Sequence, residues 1–289
     1  MKRLKHNFKK GMAFVLSLAM VAGLVPAMSG GANKVQAASG SGTKPSVLAY
    51  ATKTQLMDGT FAPNADGTAV NYGKIVFGKK SDGRTAQEWY ILGKDKDVSG
   101  DNTIIFAASP IETGQKFNSS RSSNKSFDSS FGVYASNPSE VYPNHYGASD
   151  LRVALQRMAT NTNYFTAAEQ GLMNPTTVKT KDTKNNETYT TTDKLYALQG
   201  DCNNDQYLWA GTSDSTVLAM SSYWMNGASI WLRSPSGDSA NDALLAYTGI
   251  YVSDYGVNVV IAVRPASNLD LSSVLFASAA TAASSDTKS

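Results

Sequence analysis

The chain alternates between short apolar runs and long polar stretches, and the apolar runs are bounded by glycine, aspartate or proline. Runs rich in β-branched and aromatic residues are typical of strands. Those in the first half of the chain follow one another closely enough to form a meander. The pattern predicts strands at 74–77, 89–92, 103–106, 194–198, 230–233, 243–252 and 257–263.

A helical pattern separates the two groups of strands. Leu151, Leu155 and Met158 recur at helical spacing after Ser149, which is a suitable N-cap. Thr166 followed by Glu169 is a capping box, because the glutamate can accept from the threonine amide. We therefore predict helices over about 149–160 and 166–173, and a hairpin or loop over 178–192. Strands, then helices, then strands indicate an α+β fold.

The first 38 residues have the features of a secretory signal peptide. A positively charged segment over 2–10 precedes an apolar segment over 11–28, and small residues at Val35 and Ala37 suit a signal peptidase. The alternative is a retained membrane anchor, since the apolar run is long enough to span a bilayer. Pro26 and the glycines at 30–31 interrupt the run before the small residues, which favours cleavage.

The remaining chain divides into three parts. Residues 39–45 are a Ser/Gly linker, and residues 277–289 are small, polar and without periodicity. Between them, 46–276 is long enough for a single domain. We therefore predict one folded domain that is followed by a disordered tail.

Charge and composition exclude several functional classes. Residues 1–38 hold six of the 26 basic residues and none of the 23 acidic ones, so the rest is formally −3. A nucleic-acid partner is therefore not expected. The single cysteine, Cys202, cannot form an internal disulfide. An exported domain without disulfides suits the Gram-positive cell surface, and no further stretch after the signal is apolar enough to span a membrane.

Few residues point to catalysis or to a cofactor. Ser239, in a Gly-Asp-Ser sequence, needs a base to act as a nucleophile, and His145 is the one histidine after the signal peptide. Residues 201–205 space oxygen ligands as a calcium loop does, but Gln206 stands where such a loop has glycine. A polar turn is the better interpretation of both segments. We expect no cofactor and no bound metal, although a weak calcium site at Asp201–Asp205 stays open.

Two motifs near the end of the chain place arginines beside apolar strands. Trp231 and Arg233 belong to a W-L-R-S-P motif, and Arg264 and Pro265 belong to V-R-P-A. A guanidinium in such a position must be paired or hydrogen-bonded. We assign these four residues a structural role, with anion binding by the arginines as the alternative.

Together with upstream segments, these motifs resemble a family of secreted, mainly Firmicutes domains of unknown function. The resemblance runs from Trp89-Tyr90-Ile91-Leu92 through Ser149-Asp150-Leu151-Arg152 to the terminal V-R-P-A, and covers about 70–276. It implies a C-type-lectin-like fold with two helices and small antiparallel sheets. Cys202 stands alone where the sulfatase-modifying branch has paired cysteines, and the E-P-N and W-N-D tripeptides of calcium lectins are absent. The resemblance therefore supports neither of those activities.

The segment 234–258 has the composition of an adaptable binding loop. Nineteen of its 25 residues are Ser, Gly, Asp, Asn, Ala, Thr or Tyr, a set in which tyrosine supplies contact area and small polar residues supply hydrogen bonds. Diversity-generating retroelements, which mutate lectin-fold proteins near their C-terminus, produce the same set of residues, so the segment could be a diversified binding surface. The simpler alternative is an ordinary pair of β-hairpins with polar tips. The candidate ligand-binding residues are Ser236, Asp238, Ser239, Asn241, Asp242, Tyr247, Tyr251, Ser253, Asp254, Tyr255 and Asn258.

The sequence thus predicts an exported adhesion or recognition domain that binds an extracellular protein or glycan through its C-terminal face. Two alternatives stay open. One is a secreted hydrolase acting on glycan or peptide, which requires a cleft with suitably placed carboxylates or an activated serine. The other is a structural module of a surface stalk, which requires neither a cleft nor an exposed aromatic patch.

Overall fold

The computed structural model describes residues 49–62, 73–212, 217–219, 228–247, 251–272 and 276–279. The predicted signal peptide (1–38) and linker (39–45) lie outside these residues. The strands are β1 (Ala49–Thr52), β2 (Lys74–Lys79), β3 (Ala86–Gly93), β4 (Asn102–Ala107), β5 (Glu112–Lys116), β6 (Lys125–Ser126), β7 (Glu140–Val141), β8 (Thr176–Asp182), β9 (Glu187–Asp193), β10 (Gln199–Gly200), β11 (Tyr207–Trp209), β12 (Val217–Ala219), β13 (Ile230–Pro235), β14 (Asp242–Tyr247), β15 (Tyr251–Gly256), β16 (Val260–Val263), β17 (Ala266–Asp270) and β18 (Phe276–Ala279).

The helical elements are short. They are α1 (Lys53–Met57), α2 (Asp150–Thr160) and α3 (Ala167–Leu172), with 3-10 turns η1 (Ser129–Phe131), η2 (Tyr146–Ala148) and η3 (Cys202–Asn204). The predicted caps are confirmed. Ser149 Oγ accepts from the Arg152 amide at 3.0 Å, and Thr166 and Glu169 form the capping box. The local signals therefore located α2 and α3 to within about a residue.

Two sheets form the centre of the domain. The larger has the order β15-β14-β13-β16-β5, and the other has the order β17-β4-β3-β2. Most neighbours are antiparallel, but β13 and β16 run parallel. The small sheets are β10-β11-β12 and the pairs β1-β18, β6-β7 and β8-β9.

The central strands are buried on both faces. On β14, Ala243 and Leu245 belong to one apolar cluster, whereas Leu244 and Ala246 belong to a second cluster on the other side of the sheet. Strands β3, β4 and β13 divide their side chains between the same two clusters, and α2 covers part of the first. Burial on both faces explains why these strands occur in the sequence as continuous apolar runs without alternation.

The predicted fold class is wrong. Of the described residues, 41% lie in strands and 16% in helical elements, and the three α-helices are short, so this is not a two-helix, C-type-lectin-like α+β fold. The missing strands are mostly polar or very short. Glu112–Lys116 is largely exposed, β6, β7 and β10 have two residues each, and β17 includes the buried polar residues Ser267 and Asn268. Such strands lack the apolar alternation on which the prediction depended.

Several strand boundaries also differ from those predicted. The predicted strand 243–252 is the hairpin of β14 and β15, and 194–198 contributes only the single bridge between Tyr196 and Ala266. Segment 178–192 is the β8-β9 hairpin. Near the C-terminus, β18 pairs with β1 and extends to Ala279, and thus includes three residues assigned to the tail.

Candidate functional site

A polar cleft of about 640 Å³ opens beside the β13-β14 hairpin. One wall is formed by the end of β13 and the turn after it (234–238), and the neighbouring wall is β15 at Asp254. The β8-β9 hairpin and the segment that carries η3 form the opposite side. Three of the predicted binding residues, Ser236, Asp238 and Asp254, therefore line one cleft.

Asn144 holds the loop between β13 and β14 in place. Its buried side-chain amide donates to the carbonyl oxygens of Ser239 (2.9 Å), Asp242 (3.1 Å) and Ser236 (3.4 Å). Its backbone amide donates to the Ala240 carbonyl at 3.2 Å. One asparagine thus contacts several carbonyls of this loop, and it helps to set the position of this wall.

Ser236 joins three parts of the cleft. Its hydroxyl donates to Asp254 Oδ2 at 3.3 Å and accepts from the Asp238 amide at 3.2 Å. Its carbonyl accepts from the Thr183 hydroxyl at 3.2 Å. The side chain is buried, so Ser236 positions Asp238 and Asp254 more than it presents its own hydroxyl to a ligand.

The opposite wall contains the segment considered above as a calcium loop. Asp201 caps η3 by accepting from the Asn203 amide at 2.9 Å, and Cys202 lines the cleft beside it. Burial raises the pKa of the Cys202 thiol, and Asp254, Asp201, Asp238 and Asp205 raise it further. Within the described part of the chain, no three His, Cys, Asp or Glu side chains converge as metal ligands do.

Arg233 anchors the floor of the cleft. Its guanidinium is fully buried and donates to the carbonyls of Ala197 (2.8 Å), Lys179 (3.1 Å) and Gly211 (3.3 Å). It also donates to Oε1 of Gln199, which lines the cleft, at 3.2 Å. These contacts join β8 to the segments around β10 and β11, which is the role of a structural cation.

The tyrosines of the predicted site lie on the other face of the sheet. Paired residues of antiparallel strands share a face, so Tyr247 with Tyr251 and Ala243 with Tyr255 lie on the face opposite Asp254. The Tyr247 and Tyr251 rings stack with centroids 5.2 Å apart. Tyr251 and Tyr255 are 37% and 47% exposed, and Ser253 lies between them on the same face. The structure therefore divides the predicted binding residues between two faces.

A shallow pocket of about 310 Å³ connects these two surfaces at the end of β15, and both Asp254 and Tyr255 line it. Arg121 donates to Asp242 Oδ1 there at 3.0 Å. The other predicted residues lie in nearby turns. Ser239 Oγ accepts from the Asn241 amide at 3.3 Å, and Asn258 is exposed in the turn after β15.

His145 belongs to a buried network. Its Nδ1 accepts from the Ala148 amide at 3.1 Å, so the proton of the neutral ring lies on Nε2 and points at the Tyr134 hydroxyl. That hydroxyl donates to Asp182 at 2.8 Å, and the Tyr189 ring stacks on the imidazole with centroids 4.1 Å apart. Burial lowers the pKa of His145 to about 4, against the opposing effect of Asp182.

Both imidazole nitrogens of His145 are therefore occupied by groups of the protein. Activation of the Ser239 hydroxyl would require one of them as a base. The hydroxyl of Ser239 instead takes part in its own turn, as an acceptor for Asn241. The geometry does not support a serine nucleophile at this position.

The three other residues assigned a structural role are buried in the core. Trp231 donates its indole N–H to the Gln115 carbonyl at 2.9 Å. Arg264 donates from Nε to the Ala107 carbonyl at 2.8 Å and stacks over Phe106 at 4.6 Å. Pro265 accepts from the Ala107 amide at 3.0 Å. The first contact joins β13 to β5 within the larger sheet, and the others hold the connection between β16 and β17 against β4.

Sequence reasoning missed several residues of the cleft, namely Asn144 behind one wall and Lys181, Thr183, Asn186 and Gln199 on the opposite side. They come from segments far apart in the chain and have no shared motif. The one available signal was the polar loop 201–205, weighed above as a calcium loop and interpreted as a polar turn. Its side chains instead contribute to a cleft wall.

No protein-family model, curated protein or solved structure matches this chain. In the described ranges, no helix combines the length and apolar character needed to cross a membrane.

Proposed function

We propose that this chain is an exported domain, secreted or displayed on a cell surface, that binds an extracellular protein or glycan. One observation carries the proposal. Strand β15 presents Asp254 to a polar cleft on one face and exposes Tyr251 and Tyr255 on the other. A ligand at this edge of the sheet can therefore contact both surfaces.

The chemistry of the two surfaces suits recognition. Clefts of several hundred Å³ with a few directed polar groups are the usual form of small ligand sites. Exposed tyrosines supply contact area at a low cost in side-chain entropy. The export part of the proposal depends on the signal-like composition of residues 1–38.

The walls of the cleft are held by buried polar contacts. Asn144 holds the 236–242 loop by hydrogen bonds to its carbonyls, and Arg233 holds Gln199, which lines the cleft, by a hydrogen bond to its side chain. A site whose supporting residues are locked in this way is organised before the ligand arrives, which lowers the cost of binding. The arrangement fits a binding site better than a surface with no partner.

The test is binding of the purified chain to glycan and cell-surface protein arrays, with and without calcium. A Tyr251→Ala/Tyr255→Ala double variant is expected to lose capture, because it removes most of the exposed aromatic area. The Tyr251→Phe/Tyr255→Phe variant is the matched control, since it keeps both rings. Circular dichroism and thermal melting establish that each variant folds.

The outcomes separate the alternatives. Capture that persists in the double alanine variant contradicts a role for the tyrosine surface. Capture that requires calcium identifies segment 201–205 as a metal site after all. Failure to bind anything on either array favours a structural module of a surface stalk.

A secreted glycoside hydrolase is the second candidate, because Asp201, Asp238 and Asp254 line the same cleft. Glycosidases use two carboxyl groups across the scissile bond. The test is release of reducing ends from cell-wall glycans by the wild type and by Asp201→Asn, Asp238→Asn and Asp254→Asn. Turnover that one of these substitutions abolishes supports the hydrolase, whereas binding without turnover supports the recognition domain.

A further inference from the structure

Strand β15 is an open edge. It is the last strand of its sheet, and no described strand pairs with its outer side. It pairs with β14 through six consecutive residues without a bulge. Proteins usually protect such edges with charged side chains, proline or bulges, and Tyr251–Gly256 (YVSDYG) has one charge, Asp254, and no lysine, proline or bulge. The backbone of β15 can therefore accept a further strand.

The charge beside this edge indicates the chemistry of the partner. Asp201, Asp238 and Asp254 line the adjoining cleft, and Lys181 is the one cation among its lining residues. Asp205 also lies close enough to raise the pKa of the Cys202 thiol. Arg121 contacts Asp242 at the Gly256 end and marks the end of the acidic stretch. The surface complements a basic ligand.

From these observations, and building on the binding function proposed above, we infer that β15 captures an extended peptide that carries lysine or arginine at alternate positions. Such a peptide would add a strand to the sheet by main-chain hydrogen bonds. Because side chains alternate along a strand, its basic residues would lie beside Asp254 and reach into the cleft.

The remaining residues of the peptide would lie beside Tyr251, Ser253 and Tyr255. The exposed rings offer contact to aliphatic or aromatic side chains there. A glycan has no main-chain ladder to offer the edge, so the open strand favours a peptide. The partner is therefore a segment of extended polypeptide, such as a flexible tail or linker of another extracellular protein.

The test uses three synthetic seven-residue peptides and the full chain. The first alternates threonine and lysine, the second has glutamate in place of lysine, and the third is the lysine peptide N-methylated at every backbone amide, so that neither of its edges can donate to the ladder. Fluorescence anisotropy measures binding. We expect only the first to bind, because the second loses charge complementarity and the third cannot form the ladder.

Asp254→Asn is expected to weaken binding of the lysine peptide by about fivefold, the size of one partly exposed charge pair. Asp270→Asn is the matched control, since Asp270 caps the turn at Ser272 outside the cleft, and it should change the affinity by less than about twofold. If Asp254→Asn does not fold, the binding of the three peptides to the wild-type chain still tests the inference.

Equal binding of the N-methylated peptide would overturn strand addition, and equal binding of the glutamate peptide would overturn the charge argument. Absence of peptide binding together with a glycan-array signal that depends on the tyrosines would refute this inference and leave the proposed function standing. If the chain binds neither the peptides nor any ligand on the arrays, this inference and the proposed function are both refuted.

Discussion

The side-chain amide of Asn144 donates to the carbonyl oxygen of Ser239 at 2.9 Å, across 95 residues of sequence. The same amide reaches the carbonyls of Asp242 and Ser236. Two distant loops are thus joined at a single buried side chain. The wall of the cleft that carries Ser236 and Asp238 depends on this contact, and so does the first prediction.

Asn144→Ala is expected to destabilise the protein by about 1–2 kcal/mol, because it removes a buried donor that three carbonyls share, although each carbonyl keeps a second donor. Urea denaturation followed by circular dichroism measures the change. The exposed Asn163→Ala is the control and should stay within about 0.5 kcal/mol of the wild type. An equally stable Asn144→Ala would mean that water replaces the amide and that the loop does not depend on it.

Arg233→Met is expected to lower the free energy of unfolding by at least about 3 kcal/mol, because it removes the donors to four acceptors, of which the Ala197 and Gly211 carbonyls are buried. Arg233→Lys should rescue little of this loss, since an ammonium lacks the planar fork that reaches all four. Thermal melting and urea denaturation measure both variants. Exposed Arg84→Met serves as the control, and a similar loss there would contradict a specific role for Arg233.

Stability is expected to fall as the pH decreases from about 6.5 to about 4 because of His145. The folded-state pKa of this group is lowered to about 4, so the unfolded chain binds its proton first. The contribution is fully present above the unfolded pKa and amounts to about 3 kcal/mol.

Urea denaturation between pH 7 and pH 5 measures this dependence. His145→Gln should flatten the dependence in this window, although it also lowers stability at pH 7. Carboxyl groups with lowered pKa values, such as Asp82 and Glu187, act mainly at lower pH. An unchanged slope in the His145→Gln variant would assign the dependence to other groups.

The Cys202 thiol is expected to react with iodoacetamide more slowly in the folded protein than in the urea-unfolded chain at the same pH. Burial and the surrounding carboxylates raise its pKa, and the thiolate is the reacting species. Asp254→Asn should speed the reaction, whereas Asp270→Asn should not. Because Cys202 lines the cleft, a ligand bound there should slow the reaction further, and equal rates in folded and unfolded chains would contradict this picture.

Part of the site was predictable from the sequence because it depends on composition. The segment 234–258 was recognised by its small polar residues and tyrosines, and its residues do line the cleft and the exposed edge. Its division into two faces was not predicted. The apolar run predicts one strand over 243–252, whereas the structure has two antiparallel strands, β14 and β15, with Tyr247 beside Tyr251. Which face each residue occupies follows from the register of that hairpin.

The sequence by itself determined the local elements. Helix caps and apolar runs depend on only a few neighbouring residues, so they can be recognised in a short segment of sequence. The caps at Ser149 and Thr166 and the strands β2, β3 and β4 are of this kind. The tertiary structure alone decided the fold class and the cleft. Strand β4 pairs with β17, and β5 pairs with β16, across more than 140 residues. Asn144 lies in a loop and Lys181 on the local β8-β9 hairpin, and both reach the cleft because tertiary packing brings these segments to it. Partners of this kind are chosen by shape and burial rather than by any local pattern.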